Sequence, residues 1–147
     1  MEKFDGIIDF IREVFRSEDP IPLHAPVFRG NEKLYLNQCI DSTYVSSVGN
    51  YVDAFEEKLA EYVGVKRAVL CVNGTNAIHL CLIIAGVEKN DEVLTQPLTF
   101  VATVNAITYA GAVPVFIDVD RDSLGLSPVS LKKFLDENAL LKNGKCF

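Results

Sequence analysis

Residues 66–77 read KRAVLCVNGTNA, and this stretch decides the fold class. Its first part, Lys66–Val72, is a short β-branched run, which predicts a strand. The strand ends at Asn73-Gly74, and the helical pattern after it predicts a helix over Thr75–Ala85. Gly86 is expected to end that helix in a left-handed conformation. A strand that turns at once into a helix is the opening unit of an α/β fold.

The same alternation continues downstream. We predict a strand over Glu92–Thr95, a helix over Phe100–Tyr109 and a strand over Val113–Val119. Ser127-Pro128 predicts a further helix, with Ser as N-cap and Pro at the first position. Strands separated by single helices with short connections are parallel, so these elements predict an open α/β sheet. Asn143–Phe147 looks like a turn before another strand, so we expect an incomplete sheet of about three strands.

The N-terminal part predicts helices joined by an extended arm. Helical spacing of apolar residues covers Phe4–Arg16, whereas three prolines within Asp19–Pro26 exclude a helix there. A second helix is expected over Asn31–Ile40, followed by a polar loop over Asp41–Gly49. A third helix begins near Asn50. We therefore expect two parts, a helical segment with an extended arm over residues 1–64 and the start of an α/β domain over residues 65–147.

Composition excludes several classes of protein. Of 147 residues, 49% are hydrophobic and 23% charged, which excludes wholesale disorder. A net charge of -6 argues against binding nucleic acid or anionic membrane by charge. No apolar run reaches the roughly 18 residues of a membrane span. The four cysteines show no metal-ligand spacing, and the N-terminus mixes acids with bases, so we expect reduced thiols, no metal site and a cytoplasmic protein.

The first candidate site comes directly after the Lys66–Val72 segment. Ligands of open α/β sheets bind at the carboxyl ends of strands. Gly74 lets backbone approach a ligand closely, while the Thr75 hydroxyl and the free N–H groups of a helix start favour an anion such as a phosphate. An ordinary tight turn with Thr75 as a cap would give the same pattern. Residues 74–79 contain one glycine where the dinucleotide fingerprint requires three, and the P-loop motif is absent.

The second candidate site comes after the strand Glu92–Thr95. Phe100 stands at the start of a helix on the same predicted sheet edge as Gly74 and Thr75, so its ring could stack on a planar cofactor. Thr99 and Thr103 could donate hydrogen bonds there. The alternative is that Phe100 is a core residue and both threonines are caps. A phosphate site together with a ring-stacking site is what pyridoxal phosphate requires.

These motifs carry a family resemblance that covers nearly the whole chain in the same order. The sequence resembles the N-terminal part of the DegT/DnrJ/EryC1/StrS sugar aminotransferases, which are fold-type I pyridoxal phosphate enzymes. Two further stretches resemble the LegC-like branch, which aminates keto sugar nucleotides for nonulosonic acid synthesis. The family runs are Phe55–Gly64, Asn73–Leu80, Asp91–Val93, Thr99–Ile107 and Gly111–Asp120, and the branch runs are Ile21–Glu32 and Ser42–Gly49.

The resemblance implies a truncated fold-type I large domain with a parallel-type α/β/α sheet. It assigns cofactor binding to six residues. The backbone N–H groups of Thr75 and Asn76, with the Thr75 hydroxyl, would hold the phosphate, and Gly74 would allow close approach. Phe100 would stack on the pyridine ring, while Thr103 and Asn105 would border the cofactor. The lysine that binds the cofactor covalently and its acidic partner lie downstream in the family, so no catalytic residue is assigned in this chain.

The function implied is transfer of an amino group from glutamate to a keto sugar nucleotide, in surface-polysaccharide or nonulosonic acid biosynthesis. The resemblance also implies a homodimer, with the loop Tyr44–Gly49 on the sugar-nucleotide side, and a packing role for His79. One alternative is a catalytically inactive, truncated fragment. Another is a sugar dehydratase of the same family, dependent on pyridoxal or pyridoxamine phosphate. The residue at the downstream lysine position distinguishes these functions.

Overall fold

The computed structural model describes residues 4–142 and the backbone of residues 145 and 146. The chain divides into two compact units, residues 1–54 and 55–147. The elements in chain order are α1 (Asp5–Phe15), α2 (Glu32–Ser42), α3 (Asn50–Val63), α4 (Gly74–Ile84), β1 (Glu92–Thr95), α5 (Val101–Tyr109), β2 (Val113–Phe116), α6 (Pro128–Asn138), β3 (Leu141–Lys142) and β4 (Lys145–Cys146).

The first unit confirms the predicted helices and arm. Helix α1 ends where Arg16 adopts a left-handed conformation and donates its N–H to the carbonyls of Arg12 and Glu13. Residues 17–30 contain neither helix nor strand, as the prolines predict. Helix α2 runs to Ser42, somewhat further than predicted, and Thr43 ends it with a left-handed φ of 64°. The loop before α3 is correspondingly shorter.

The boundary between these compact units falls inside α3, between Ala54 and Phe55, and the predicted division after residue 64 stays a prediction. The second half of this helix is bonded to the segment that comes after it. Ala60 is buried, and its carbonyl accepts the N–H groups of Gly64 and Val65. The Glu56 carboxylate accepts the N–H of Leu70 at 2.7 Å. These hydrogen bonds join the C-terminal half of α3 to the residues that follow it, so this half belongs to the second unit.

The second unit is built on a parallel pair of strands. Strand β1 pairs with β2 in the register Glu92 to Val113 and Thr95 to Phe116, and α5 connects the two strands. Helix α5 packs against β2 and against α4. Gly86, at φ 79°, has the left-handed conformation predicted for it. Ser127 caps α6 by accepting the Ser130 N–H, with Pro128 at the first helical position, also as predicted.

One predicted strand does not form in the described chain. Residues 66–72 pair with no strand, so the parallel sheet has two strands and not about three. A strand needs a hydrogen-bonded neighbour, and no strand of the described residues pairs with this segment, whose Leu70 N–H is taken by the Glu56 carboxylate. The strand predicted over Val113–Val119 is also shorter. It ends at Phe116, after which Val119 forms an isolated bridge with Leu126.

The C-terminal end forms a small hairpin in which β3 pairs antiparallel with β4. The backbone of β4 agrees with the strand expected near the end of the chain. The predicted turn at residues 143–144, and residue 147, lie outside the described residues.

The core of the described chain is small. The buried apolar residues are Ala60, Ala106, Ile107, Ala112 and Ile117, all in the second unit. Thr95 and Ser127 are the buried polar residues. Most large apolar side chains keep over a third of their surface exposed. Over the part of the chain that the structure describes, no helix combines the length and apolar character needed to cross a bilayer.

Candidate functional site

The parallel pairing defines the sheet edge at which a site can form. Because β1 and β2 run in the same direction, Thr95 and Phe116 end at one edge, and the loops after them start there. The Ile117 N–H donates to the Thr95 carbonyl at 2.8 Å, which extends the pairing by one residue. The loop after β1 leads to Phe100, and the loop after β2 contains Asp118 and Asp120.

The start of α4 keeps free N–H groups, as an anion site requires, and its N-cap is not the Thr75 of the alternative interpretation. Asn73, and not Thr75, is the N-cap: its Oδ1 accepts the Asn76 N–H at 2.9 Å. A phosphate would have to compete with the Asn73 side-chain oxygen for the Asn76 N–H. Within residues 4–142, the Gly74 and Thr75 N–H groups have no acceptor. They are the donors that this helix start offers to an anion.

Gly74 leaves room at this helix start. A Cβ built on it would meet no atom within 4 Å, and Thr75 beside it is half-buried. The glycine therefore fills no packing role in the described chain. This open space is where a phosphate oxygen could approach the backbone.

Phe100 is not a core residue. It is the N-cap residue of α5, and it is 74% exposed. An exposed ring of this size at a sheet edge contributes little to the stability of this chain, which leaves its face available for stacking.

Thr103 and Asn105 lie on the first turns of α5 and are half-buried. The Thr103 hydroxyl is 3.2 Å from that of Thr99, so these hydroxyls bond to each other. The Thr103 N–H donates to the Phe100 carbonyl, as at any helix start. The Asn105 carbonyl accepts the Thr108 hydroxyl at 2.8 Å. The threonine pair stabilises the start of α5 behind Phe100.

The two halves of the predicted site sit on helices that pack together. Helices α4 and α5 are in contact, and the rings of His79 and Tyr109 meet edge to face at 6.1 Å. This contact agrees with the packing role that the resemblance gives His79. In the described structure no hydrogen bond joins the start of α4 to the segment 99–105. The structure thus brings Phe100, Thr103 and Asn105 together in one segment, with Gly74, Thr75 and Asn76 on the packed neighbouring helix.

The loop after β2 is closed by Asp120. Its Oδ1 accepts the Ser123 N–H and the Ser123 hydroxyl, both at 2.8 Å, and the Asp122 N–H at 3.2 Å. The hydrogen bonds from Ser123, backbone first and then hydroxyl, hold the pKa of Asp120 below its ordinary value of 3.8. The charged form of Asp120 therefore stabilises this turn.

We expect an acid-dependent loss of this turn. Because folding lowers the pKa of Asp120, its contribution is fully present above about pH 4 and is lost as the pH falls through the folded value. Asp120→Asn should lower the free energy of unfolding at neutral pH and flatten its decline in acid. Urea unfolding of wild type and variant between pH 7 and about pH 2 measures this. Asp122→Asn is the control, and a wild-type slope retained in Asp120→Asn would contradict the assignment.

In the first unit, the loop after α2 lines a concavity of about 760 Å³. Tyr44, Ser46 and Gly49 contribute to its wall, together with side chains of α2 and of the start of α3. Tyr51 donates a hydrogen bond to the Gln38 side chain. Partial desolvation, and then the neighbouring Tyr35 and Cys39, raise the pKa of Tyr51. The lining carries hydroxyl, amide and apolar groups and no charged side chain.

Sequence reasoning missed two features of this edge. Asn73 could have been recognised as the N-cap, because asparagine is among the preferred residues at that position. The Asp120-x-x-Ser123 spacing is a signal for a side-chain turn. Within the described residues no cluster of three potential metal ligands occurs.

Comparison with known proteins identifies the family of the chain. Residues 27–140 match the model of the DegT/DnrJ/EryC1/StrS aminotransferase family. GDP-perosamine synthase of Escherichia coli O157:H7 is 47% identical over 107 residues, which are 73% of this chain and 29% of that protein. EpsN of Bacillus subtilis (strain 168), provisionally named a pyridoxal phosphate-dependent aminotransferase, is 44% identical over 117 residues, 80% of this chain and 30% of that protein.

A solved structure gives the same result. The aminotransferase from Psychrobacter cryohalolentis superposes with a TM-score of 0.67 at 31% identity, over 76% of this chain and 29% of that one. The fold is that of the start of a fold-type I pyridoxal phosphate aminotransferase. The chain belongs to the DegT/DnrJ/EryC1/StrS aminotransferase family. It spans about 30% of the length of the relatives that it matches.

Proposed function

We propose that this chain is the N-terminal part of a cytoplasmic, homodimeric enzyme that transfers an amino group from glutamate to a keto sugar nucleotide. The pathway would be surface-polysaccharide or nonulosonic acid biosynthesis. The name GDP-perosamine synthase describes a nucleotide-linked amino sugar product, which supports this substrate class. The observation that carries the proposal is the exposed Phe100 ring, in a chain whose residues 27–140 match the family.

The residues present fit the cofactor at both of its ends. The Gly74 and Thr75 N–H groups and the Thr75 hydroxyl would bind the phosphate, and the helix start adds a favourable dipole. Phe100 would cover one face of the pyridine ring and exclude water from it. When bound, pyridoxal phosphate supplies the electron sink that amino-group transfer needs.

The concavity of the first unit would hold the sugar part of the substrate. Its hydroxyl and amide groups suit a hydroxylated ring, and Tyr44 and Tyr51 offer aromatic faces. Because no charged side chain lines it, the diphosphate of the nucleotide would bind elsewhere.

The first test is a transamination assay of the full-length protein that carries this chain. With glutamate and a nucleotide-linked 4-keto-6-deoxysugar, we expect 2-oxoglutarate and an aminated sugar in equal amounts. Loss of a sugar hydroxyl without amination would indicate the dehydratase, and no turnover with any keto sugar nucleotide would contradict an enzymatic function.

The Phe100→Ala variant tests the site itself. Loss of the stacked ring should weaken pyridoxal phosphate binding about two- to thirteenfold, because such contacts are worth about 0.5–1.5 kcal/mol. Cofactor titration followed by absorbance measures this. Phe10→Ala removes a ring of similar exposure, 65% against 74%, from α1 and is the matched control. Equal affinities in the two variants would exclude Phe100 from the cofactor site.

A further inference from the structure

Gln96 is the residue that joins the two loops at the sheet edge. Its Nε2 donates to the Leu98 carbonyl at 2.6 Å and to the Leu124 carbonyl at 3.4 Å. Leu98 lies in the loop after β1, and Leu124 lies in the loop after β2. A glutamine amide has two N–H donors, so one side chain can bind both carbonyls at once.

The Leu124 carbonyl is held in place by a tight turn. Leu124 adopts a left-handed conformation with φ 56°, which is uncommon for a residue other than glycine. The Leu124 N–H donates to the Asp120 carbonyl at 2.9 Å, and the Asp120 N–H donates to the Gly125 carbonyl at 2.8 Å. A sparsely populated conformation persists only where its surroundings impose it. The surrounding bonds thus present this carbonyl to the neighbouring loop.

The Leu98 carbonyl lies two residues before Phe100. The Thr99 N–H donates to the Pro97 carbonyl at 3.0 Å, and the Thr99 hydroxyl bonds to that of Thr103. The exposed Phe100 ring receives little support from packing. Its direction is therefore set by the backbone of this short loop, and Gln96 is one of the groups that fix that backbone.

We propose that Gln96 is a positioning residue that couples the loop after β2 to the direction of the Phe100 ring. The proposal rests on the proposed function, in which Phe100 stacks on the cofactor. Gln96 does not touch the cofactor in this arrangement. It acts by keeping the Leu98 and Leu124 carbonyls at a fixed separation, so a loosened loop after β2 would tilt the ring.

The test uses Gln96→Glu and Gln96→Met in the full-length protein. Glutamate places a charged acceptor against two carbonyls, and methionine keeps the length without a donor. Asn138→Asp is the matched control, because it removes an amide that donates to the Phe134 carbonyl at 2.9 Å on α6. Amide hydrogen exchange without cofactor should rise about tenfold in both loops, residues 98–100 and 124–126, in both Gln96 variants. The control should leave both loops unchanged.

A second measurement reports on the orientation of the Phe100 ring at the bound cofactor. The induced circular dichroism of bound pyridoxal phosphate should change in both Gln96 variants at saturating cofactor and stay unchanged in Asn138→Asp. Exchange that rises in only one loop, or an unchanged dichroism, would overturn the proposal. If the wild type binds no cofactor, the proposed function fails and the positioning role fails with it. The exchange data then still decide whether Gln96 couples the loops.

Discussion

Thr75→Val in the full-length protein should weaken pyridoxal phosphate binding by about tenfold to one hundredfold. The variant keeps the size of the side chain and removes a hydroxyl that would donate to a charged phosphate. Hydrogen bonds to charged groups are worth about 1.5–3 kcal/mol, which sets that range. The helix itself should persist, because its N-cap is Asn73 and not Thr75. Cofactor titration followed by absorbance measures the affinity.

Thr108→Val is the control for this experiment. The Thr108 hydroxyl donates to the Asn105 carbonyl at the end of α5, so its loss removes a comparable hydrogen bond away from the start of α4. Far-ultraviolet circular dichroism checks that both variants keep their helices. An affinity of Thr75→Val within twofold of the wild type would remove Thr75 from the phosphate site.

Ile107→Ala should destabilise the second unit by about 2–4 kcal/mol, because truncating a buried isoleucine removes apolar contacts and leaves a cavity. Ile107 is 3% exposed, beside the fully buried Ala106 on α5, a helix in contact with both α4 and β2. Domains are stable by about 5–15 kcal/mol, so the loss is a large part of the total. Urea unfolding followed by circular dichroism measures it.

The matched control is Val101→Ala on the same helix. Val101 is 63% exposed, so its truncation should cost under about 1 kcal/mol. Equal costs at the two positions would show that α5 does not pack against the sheet through Ile107.

Elements with a strong local signal could be predicted from the sequence. The strand Glu92–Thr95 and the cap of α6 by Ser127 match the structure residue for residue. The prolines of residues 19–26 excluded regular structure there, because proline lacks an N–H and fixes φ. In each case the physical cause lies within a few residues of its effect.

The candidate site could be predicted only in part, because some of its contacts join residues that are distant in the chain. The order of strand, turn and helix pointed to Gly74, Thr75 and Phe100. The N-cap at Asn73 and the turn closed by Asp120 also have local signals, which sequence reasoning missed. The bond from Gln96 to Leu124 spans 28 residues, and no local pattern encodes it.

By itself the sequence determined the order of the helices, the strands β1 and β2 and the motifs of the family, since these depend on local conformational preferences. The tertiary structure decided which strands pair. Residues 66–72 have the composition of a strand but remain unpaired in the described chain, while β1 and β2 pair in parallel. Strand pairing depends on hydrogen-bond partners distant in the chain, and only the folded arrangement supplies them.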